Sequence, residues 1–164
     1  MLTALPANMP PHHALTRRSL LALLGAAVVH PVAFAQSDAT RVTVHKNPSC
    51  GCCLGWVQHI QRAGFVATVI DHRDMDAVKD RLGVPADLAS CHTAEIAGYI
   101  VEGHVPASAI RRLLTEKPNA IGLAVPGMPA GAPGMGTSDE VYEAILFGLR
   151  GARSYMRFVG EREI

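Results

Sequence analysis

Three of the four cysteines in the chain fall within four residues. The stretch reads Cys50-Gly-Cys52-Cys53, and the fourth cysteine, Cys91, is followed directly by His92. Thiolates are soft ligands that select Cu(I), zinc or iron–sulfur clusters, and imidazole accepts copper and zinc. A Cys-x-x-Cys pair can hold one ion across a turn, as in the first half of many metal sites. The spacing therefore predicts a metal site assembled from two separate segments.

The same pair, Cys50 and Cys53, also fits thiol–disulfide oxidoreductase chemistry. A cysteine near a helix N-terminus has a lowered thiol pKa, which favours the nucleophilic thiolate. Cys52, inside the motif, would compete as a third thiol in such a cycle. Structural disulfides, Cys50–Cys53 and Cys52–Cys91, are a further alternative, although adjacent cysteines on a helix face different directions. We expect metal binding rather than catalysis, with redox activity left open.

Other candidate ligands lie outside the cysteine motifs. Met128 and Met135 occupy a loop, residues 126–136, that is too rich in glycine and proline for regular structure. Thioether is a Cu(I) ligand, although methionine in such a loop is also typical of packing. His104 is another candidate donor, in a position that is more often taken by capping or surface histidines. His59 is expected on an exposed helix face, with no role.

The N-terminus resembles an export signal. Arg17 and Arg18 precede an apolar run from Leu20 to Val29, and Ala33-Phe34-Ala35 is a small-residue cleavage site, which predicts a cleaved signal peptide over residues 1–35. The paired arginines also resemble a twin-arginine signal. Export by the twin-arginine route and export by the general route therefore both stay open. The apolar run is shorter than the ~20 residues that a membrane span needs. We therefore expect a periplasmic protein without stable membrane insertion.

The mature chain, residues 36–164, has the length of a single domain. It carries 13 basic and 14 acidic side chains, because residues 1–35 hold two arginines and no acid. This balance gives no indication of a nucleic-acid partner. Export and the crowding of three sulfurs favour Cu(I), with more than one ion if thiolates bridge. Zinc, which accepts four thiolates or three thiolates and an imidazole, is the weaker alternative and would make a zinc-stabilised domain.

Hydrophobic periodicity predicts the elements that carry these residues. The order is strand, helix, strand, helix, hairpin, helix, and the ranges are 42–45, about 52–63, 65–70, 74–82, 94–103 and 106–116. Residues 141–147 are ambiguous, and the following Gly-Leu-Arg-Gly turn favours a terminal hairpin. A Cys-x-x-Cys pair at the first strand-to-helix turn resembles the thioredoxin fold. We therefore expect an α/β thioredoxin-like sandwich, with a central mixed sheet flanked by helices.

In the thioredoxin fold, the segment before the hairpin carries a cis-proline that faces the Cys-x-x-Cys pair. Here that segment is Ser90-Cys91-His92-Thr93, which contains no proline. The alignment predicts that Cys91 and His92 contact Cys50 and Cys53. The two motifs would then form one composite site.

Three stretches together resemble the CopG-type family of exported, thioredoxin-like metal-binding proteins, many of them catalogued as a domain of unknown function. They are the Ser-Cys-Gly-Cys-Cys stretch with its tryptophan at 49–56, the segment 90–114 and the segment 122–135. The resemblance implies a periplasmic role in copper resistance or copper handling, with other copper-handling proteins as partners. It also implies copper held by the cysteines of the first motif and by the Cys91–His92 pair. The family's activity, whether storage, delivery or redox conversion of copper, stays open.

Overall fold

The computed structural model describes residues 40–164, so the predicted signal peptide and its cleavage site lie outside the described residues. In chain order the elements are β1 (Arg41–Lys46), α1 (Gly51–Arg62), β2 (Val66–Asp71), α2 (Met75–Leu82), a short 3-10 helix (Ala86–Leu88), β3 (His92–Ile96), β4 (Tyr99–Glu102), α3 (Ala107–Glu116), β5 (Gly122–Ala124), β6 (Val141–Gly148), β7 (Gly151–Val159) and β8 (Arg162–Glu163). The strands form one mixed sheet in the order β2-β1-β3-β4-β5-β6-β7-β8.

The first half of the sheet follows from two local connections. Strand β1 pairs parallel with β2 through the crossover helix α1, and antiparallel with β3. Strands β3 and β4 form a hairpin whose turn residues, Ala97 and Gly98, both have positive φ, as a tight two-residue turn requires.

The Asp74 carboxylate accepts a hydrogen bond from the Ala77 amide and caps α2, while Gly83 ends it in the left-handed conformation.

The sheet has apolar side chains on both faces. On one face, Val44, Ala94 and Val101 pack with Trp56 of α1 and Ile110 of α3 in the main hydrophobic core. Neighbouring strand residues point the other way because side chains alternate along a strand. A smaller cluster covers that second face and consists of Val84, Leu88, Ile100, Ala124 and Phe147. The mixed α/β architecture, with elements packed on both faces, agrees with the predicted class.

A buried polar network lies on the second face, beneath α2. The Lys79 ammonium is 2.5 Å from a carboxylate oxygen of Glu102 and 3.0 Å from the Thr93 hydroxyl oxygen. The same Glu102 oxygen accepts a 2.6 Å hydrogen bond from the Ser90 amide. Glu102 is fully buried and Lys79 nearly so. The network therefore ties α2 to the segment that immediately precedes Cys91.

Most of the predicted elements are present. Strand β5, strand β8 and the short 3-10 helix were not predicted. The three residues of β5 join β4 to the terminal hairpin β6–β7. His59, expected on an exposed face, is buried: its Nε2 accepts a 3.0 Å hydrogen bond from the Ala107 amide, and its Nδ1 is 3.0 Å from a Glu161 carboxylate oxygen. Residues 126–136 lack helix and strand, as predicted. Within residues 40–164, no helix has the length and apolar character needed to cross a membrane.

Candidate metal centre

The start of α1 carries the three clustered cysteines. Cys50 is the N-cap residue, and Cys52 and Cys53 occupy the first helical turn. Cys50 and Cys53 are joined by a disulfide, whereas Cys52 and Cys91 are free thiols. Cys53 is fully buried, and the other three are partly exposed. This disulfide is one of the two pairings that the sequence analysis considered, Cys50–Cys53.

The Cys91 segment reaches these cysteines because β3 lies beside β1. His92 pairs with Lys46, the last residue of β1, so that Cys91 lies next to the loop that leads into α1. The Cys91 sulfur is 3.9 Å from the Cys52 sulfur, which in turn is 3.5 Å from the sulfur of Cys50. All four sulfurs lie within 4.8 Å of one another. The two motifs thus form one composite cluster, as the alignment predicted.

His104 adds an imidazole to the cluster. Its Nε2 is 3.0 Å from the Cys91 sulfur, and its Nδ1 is 2.7 Å from the Pro133 carbonyl oxygen. A carbonyl only accepts, so Nδ1 carries the hydrogen and Nε2 of the neutral ring presents a lone pair to the Cys91 thiol. Burial lowers the pKa of His104, which keeps the ring neutral. The side chain is fully buried, unlike the capping or surface position that is commoner for such a histidine.

His92 lies beside Cys91 on the inner side of the cluster. Its Nδ1 is 3.4 Å from the Cys91 sulfur, and its ring packs against Trp56 at a centroid distance of 4.4 Å. Burial, followed by unfavourable electrostatic interactions of a protonated ring with His104 and Lys79, lowers the pKa of His92 well below its usual value. Among residues 40–164, no side chain or backbone group makes a hydrogen bond to its buried Nε2. A buried polar atom without a partner lowers the stability of the folded state by about 1–3 kcal/mol. The position of this ring therefore has an energetic cost.

The Cys91 thiol holds its proton strongly in this environment. Burial, reinforced by the neighbouring Cys52, raises the pKa of Cys91 to about 12. A thiol with such a pKa is a poor nucleophile at neutral pH. A soft metal ion can still displace its proton, because metal ligation requires the thiolate and releases protons. The His104 Nε2 lone pair stands at hydrogen-bond distance to receive that proton.

The Gly/Pro-rich loop closes over the start of α1. Gly134 has φ of 87°, and a Cβ built on it would lie 2.5 Å from the Trp56 backbone nitrogen, so only glycine fits this close approach. The preceding Pro133 carbonyl orients His104. Met128 is 60% exposed, whereas Met135 is partly buried and packs against the main core. The loop thus contributes to the cluster through its backbone.

The sulfur cluster has two chemical states. With the Cys50–Cys53 disulfide formed, the cluster offers two thiols and the two imidazoles. Addition of two electrons and two protons opens the disulfide and yields four thiols within the same volume. Every cysteine and histidine of the cluster was predicted from the sequence, but the Pro133 carbonyl and the Lys79–Glu102 network that position them were not. No local sequence pattern marks either contact, since the partners lie 29 and 23 residues apart.

Comparison with known proteins agrees with this architecture. A family model described as "Protein of unknown function, DUF411" matches residues 88–135. A solved structure described as copper resistance protein copG, form 1, shares 42% sequence identity with the chain and covers 74% of it and 99% of its own length, with a TM-score of 0.69. Form 2 shares 43% identity and covers 72% and 97%, with a TM-score of 0.68. No curated protein sequence matches the chain. Identity at this level over nearly the whole length of the solved relatives means that the chain belongs to the CopG-type family.

Proposed function

We propose that this protein binds Cu(I) in the periplasm and takes part in copper resistance or copper handling. The observation that carries the proposal is the convergence of four cysteine sulfurs within 4.8 Å of one another, drawn from two separate segments. Soft thiolates crowded in this way prefer Cu(I) over hard cations. The descriptions of the two solved relatives as copper resistance proteins support copper as the metal.

The proposed ligands are Cys50, Cys52, Cys53 and Cys91 in their reduced form, with His92 and His104 beside them. Sulfurs this close can bridge, so the cluster has the donors for more than one copper ion. His104 contributes a nitrogen lone pair, and the unpartnered Nε2 of His92 is a further buried nitrogen available for ligation or for a proton. Met128 and Met135 stay predicted thioether ligands, and the exposure of Met128 suits transfer of copper to a partner.

Copper uptake in this proposal requires reduction of the Cys50–Cys53 disulfide. Two electrons and two protons convert it into two thiols, and each thiol that becomes a ligand then loses its proton. An exported protein meets an oxidising space, so a reductant is needed to open the site. Oxidation of the bound thiols back to the disulfide would remove two ligands and weaken copper binding. The redox state of Cys50 and Cys53 thereby controls the capacity of the site.

We also propose that residues 41–116 form a thioredoxin-like unit. The supporting features are the β2-β1-β3-β4 order, the parallel β1–β2 crossover through α1 and the antiparallel β3–β4 hairpin followed by α3. The Cys-x-x-Cys pair lies at the β1–α1 turn, and Cys91 occupies the facing segment. A metal-binding cysteine in that position distinguishes this chain from a thioredoxin-like oxidoreductase.

A second candidate function, periplasmic thiol–disulfide exchange, is favoured by one observation. Cys50 and Cys53 are already paired as a disulfide in the arrangement that such enzymes use. Cys50 is the more exposed of the two. In the disulfide form, an external thiol would attack its sulfur first, and in the reduced form its thiolate would attack an external disulfide. Cys52, 3.5 Å from the Cys50 sulfur, would compete with an external thiol for the same bond.

Replacement of Cys91 separates these functions. For a copper site, Cys91→Ser should lower the amount of Cu(I) retained by the reduced, anaerobic protein, because it removes a sulfur that bridges the two segments. For an oxidoreductase, the variant should leave the Cys50–Cys53 exchange rate largely intact. Ser49→Ala is the matched control, since it changes an exposed neighbour without removing a sulfur. Unchanged copper retention in Cys91→Ser would refute the proposed site, and unfolding on metal removal would instead indicate a zinc-stabilised domain.

A further inference from the structure

A second group of possible ligands lies away from the sulfur cluster. His45 Nδ1 is 2.9 Å from His72 Nε2, and His45 Nε2 is 2.9 Å from a carboxylate oxygen of Glu95. The three side chains come from β1, from the residue after β2 and from β3, which are adjacent strands. None of them belongs to the group of cysteines and histidines described above.

Glu95 fixes the protonation pattern of this group. A carboxylate only accepts hydrogen bonds, so His45 Nε2 carries a hydrogen and donates it to Glu95. Nδ1 of the neutral His45 ring then holds an in-plane lone pair that faces His72. Histidines that ligate metals almost always donate their second ring N–H to a carboxylate or carbonyl in this manner. His45 is therefore already oriented as a metal ligand.

The two facing nitrogens lie at the distance of an ordinary hydrogen bond, and two ligands of one ion can have the same separation. Metal–nitrogen bonds of about 2.0–2.1 Å at an angle near 90° separate two nitrogens by about 2.9 Å, which is the geometry of tetragonal Cu(II). The observed separation of His45 Nδ1 and His72 Nε2 is 2.9 Å. Without a metal, His72 donates its Nε2 hydrogen to His45. Binding needs only transfer of that hydrogen to His72 Nδ1 and a tilt of the rings so that both lone pairs converge.

The surroundings leave room for an ion and its water ligands. His45 is buried, but His72 is partly exposed and lines a surface depression with Asp74 and Arg81. The Glu95 side chain is 46% exposed. Arg73 and Arg81 both line the depression and oppose cation entry, while Glu95 and Asp74 offset their charge. An ion at His72 would therefore complete its coordination from solvent.

We propose that His45 and His72 form a second metal site, oriented by Glu95, that takes a divalent ion of intermediate softness, Cu(II) in preference to Zn(II). Imidazole suits these ions, and the stability order of divalent metals places copper above zinc. The inference stands on a different donor set from the sulfur cluster and does not depend on Cu(I) binding there. The protein would then hold the two oxidation states of copper at separate sites matched to them.

The test uses a variant that cannot reduce Cu(II). Cys52→Ser combined with Cys91→Ser leaves only Cys50 and Cys53, which form the disulfide, so that no free thiol is present. Cu(II) alone is titrated into this parent protein against a competing chelator, and the bound ion is examined by electron paramagnetic resonance. The same measurements are made after adding His72→Ala, Glu95→Gln or the control Arg73→Ala. Unchanged circular dichroism verifies the fold of each variant.

We expect one Cu(II) whose spectrum has couplings to imidazole nitrogens and which displaces added Zn(II). Glu95→Gln should weaken binding about 10–100-fold, the usual effect of losing a carboxylate behind a ligating histidine, and His72→Ala should weaken it more. Arg73→Ala should bind no more weakly than the parent. Equal affinity of the parent and His72→Ala would overturn the proposal, as would a spectrum of His72→Ala with the same number of coupled imidazole nitrogens as the parent. Either failure leaves the Cu(I) experiment on Cys91 unaffected, so that the two proposals fail independently.

Discussion

The buried ion pair behind the Cys91 segment makes a strong prediction about stability. Glu102→Gln keeps the size of the side chain and one oxygen that can accept from the Ser90 amide, but it removes the negative charge. The Lys79 amine is then left in a nearly dry position, with the Thr93 hydroxyl and one neutral amide oxygen as its partners. The substitution thus isolates the electrostatic part of the network.

The expected cost is large because neither charge has access to water. The exposed fractions of the Lys79 and Glu102 side chains are 9% and 0%, and the charged atoms are 2.5 Å apart. Removing one partner of a buried pair costs about 3–5 kcal/mol, since the other charge is left uncompensated. Lys79→Met should also destabilise the fold. Because both substitutions disrupt one interaction, the double variant should cost about 0.5–3 kcal/mol less than the sum of the two.

Urea unfolding of the disulfide-bonded protein, followed by circular dichroism, measures these free energies. Glu116→Gln is the matched control, because Glu116 makes an exposed ion pair with Arg112 in α3 and should show no measurable loss. A Glu102→Gln cost below about 1 kcal/mol, or additive effects in the double variant, would refute the assignment of a buried and coupled ion pair.

Two further predictions concern other buried contacts. Burial lowers the pKa of His59 despite the neighbouring Glu161, so the folded state prefers the neutral ring; stability should therefore be maintained above about pH 6.5 and decrease as the pH falls through the folded-state pKa. His59→Gln, whose amide oxygen can still accept from Ala107, should reduce this slope in melting temperatures measured between pH 8 and pH 5, and an unchanged slope would argue against a role for His59. Gly134→Ala should lower the free energy of unfolding by more than Gly127→Ala: both glycines have positive φ, but only at Gly134 would the new Cβ meet backbone atoms of α1. Equal losses measured by urea unfolding would contradict the close approach.

Local patterns accounted for the elements that position the cysteine cluster. Alternation identified β1, and Asp74 and Gly83 marked the ends of α2 through capping chemistry that depends on neighbouring residues alone. The ends of α2 are predictable because hydrogen bonds within a few residues determine them. The proximity of Cys91 to Cys50 was instead predicted from the resemblance to the thioredoxin fold.

Features that depend on distant partners were not predictable. Strand β5 has only three residues, and it is a strand because β4 and β6 pair with its two edges. His59 is buried because the Ala107 amide, 48 residues away, donates to it. His104 faces the sulfur cluster because the Pro133 carbonyl holds its other nitrogen. No spacing in the sequence encodes these contacts.

X-ray absorption at the copper edge, on the fully reduced protein loaded anaerobically with Cu(I) in the presence of competing zinc, tests the central claim most directly. We expect retained Cu(I) surrounded mainly by sulfur, with all four thiols protected from alkylation until the copper is removed. Copper that is bound only by nitrogen and oxygen, or four thiols that react freely in the presence of Cu(I), would contradict the proposed cysteine site.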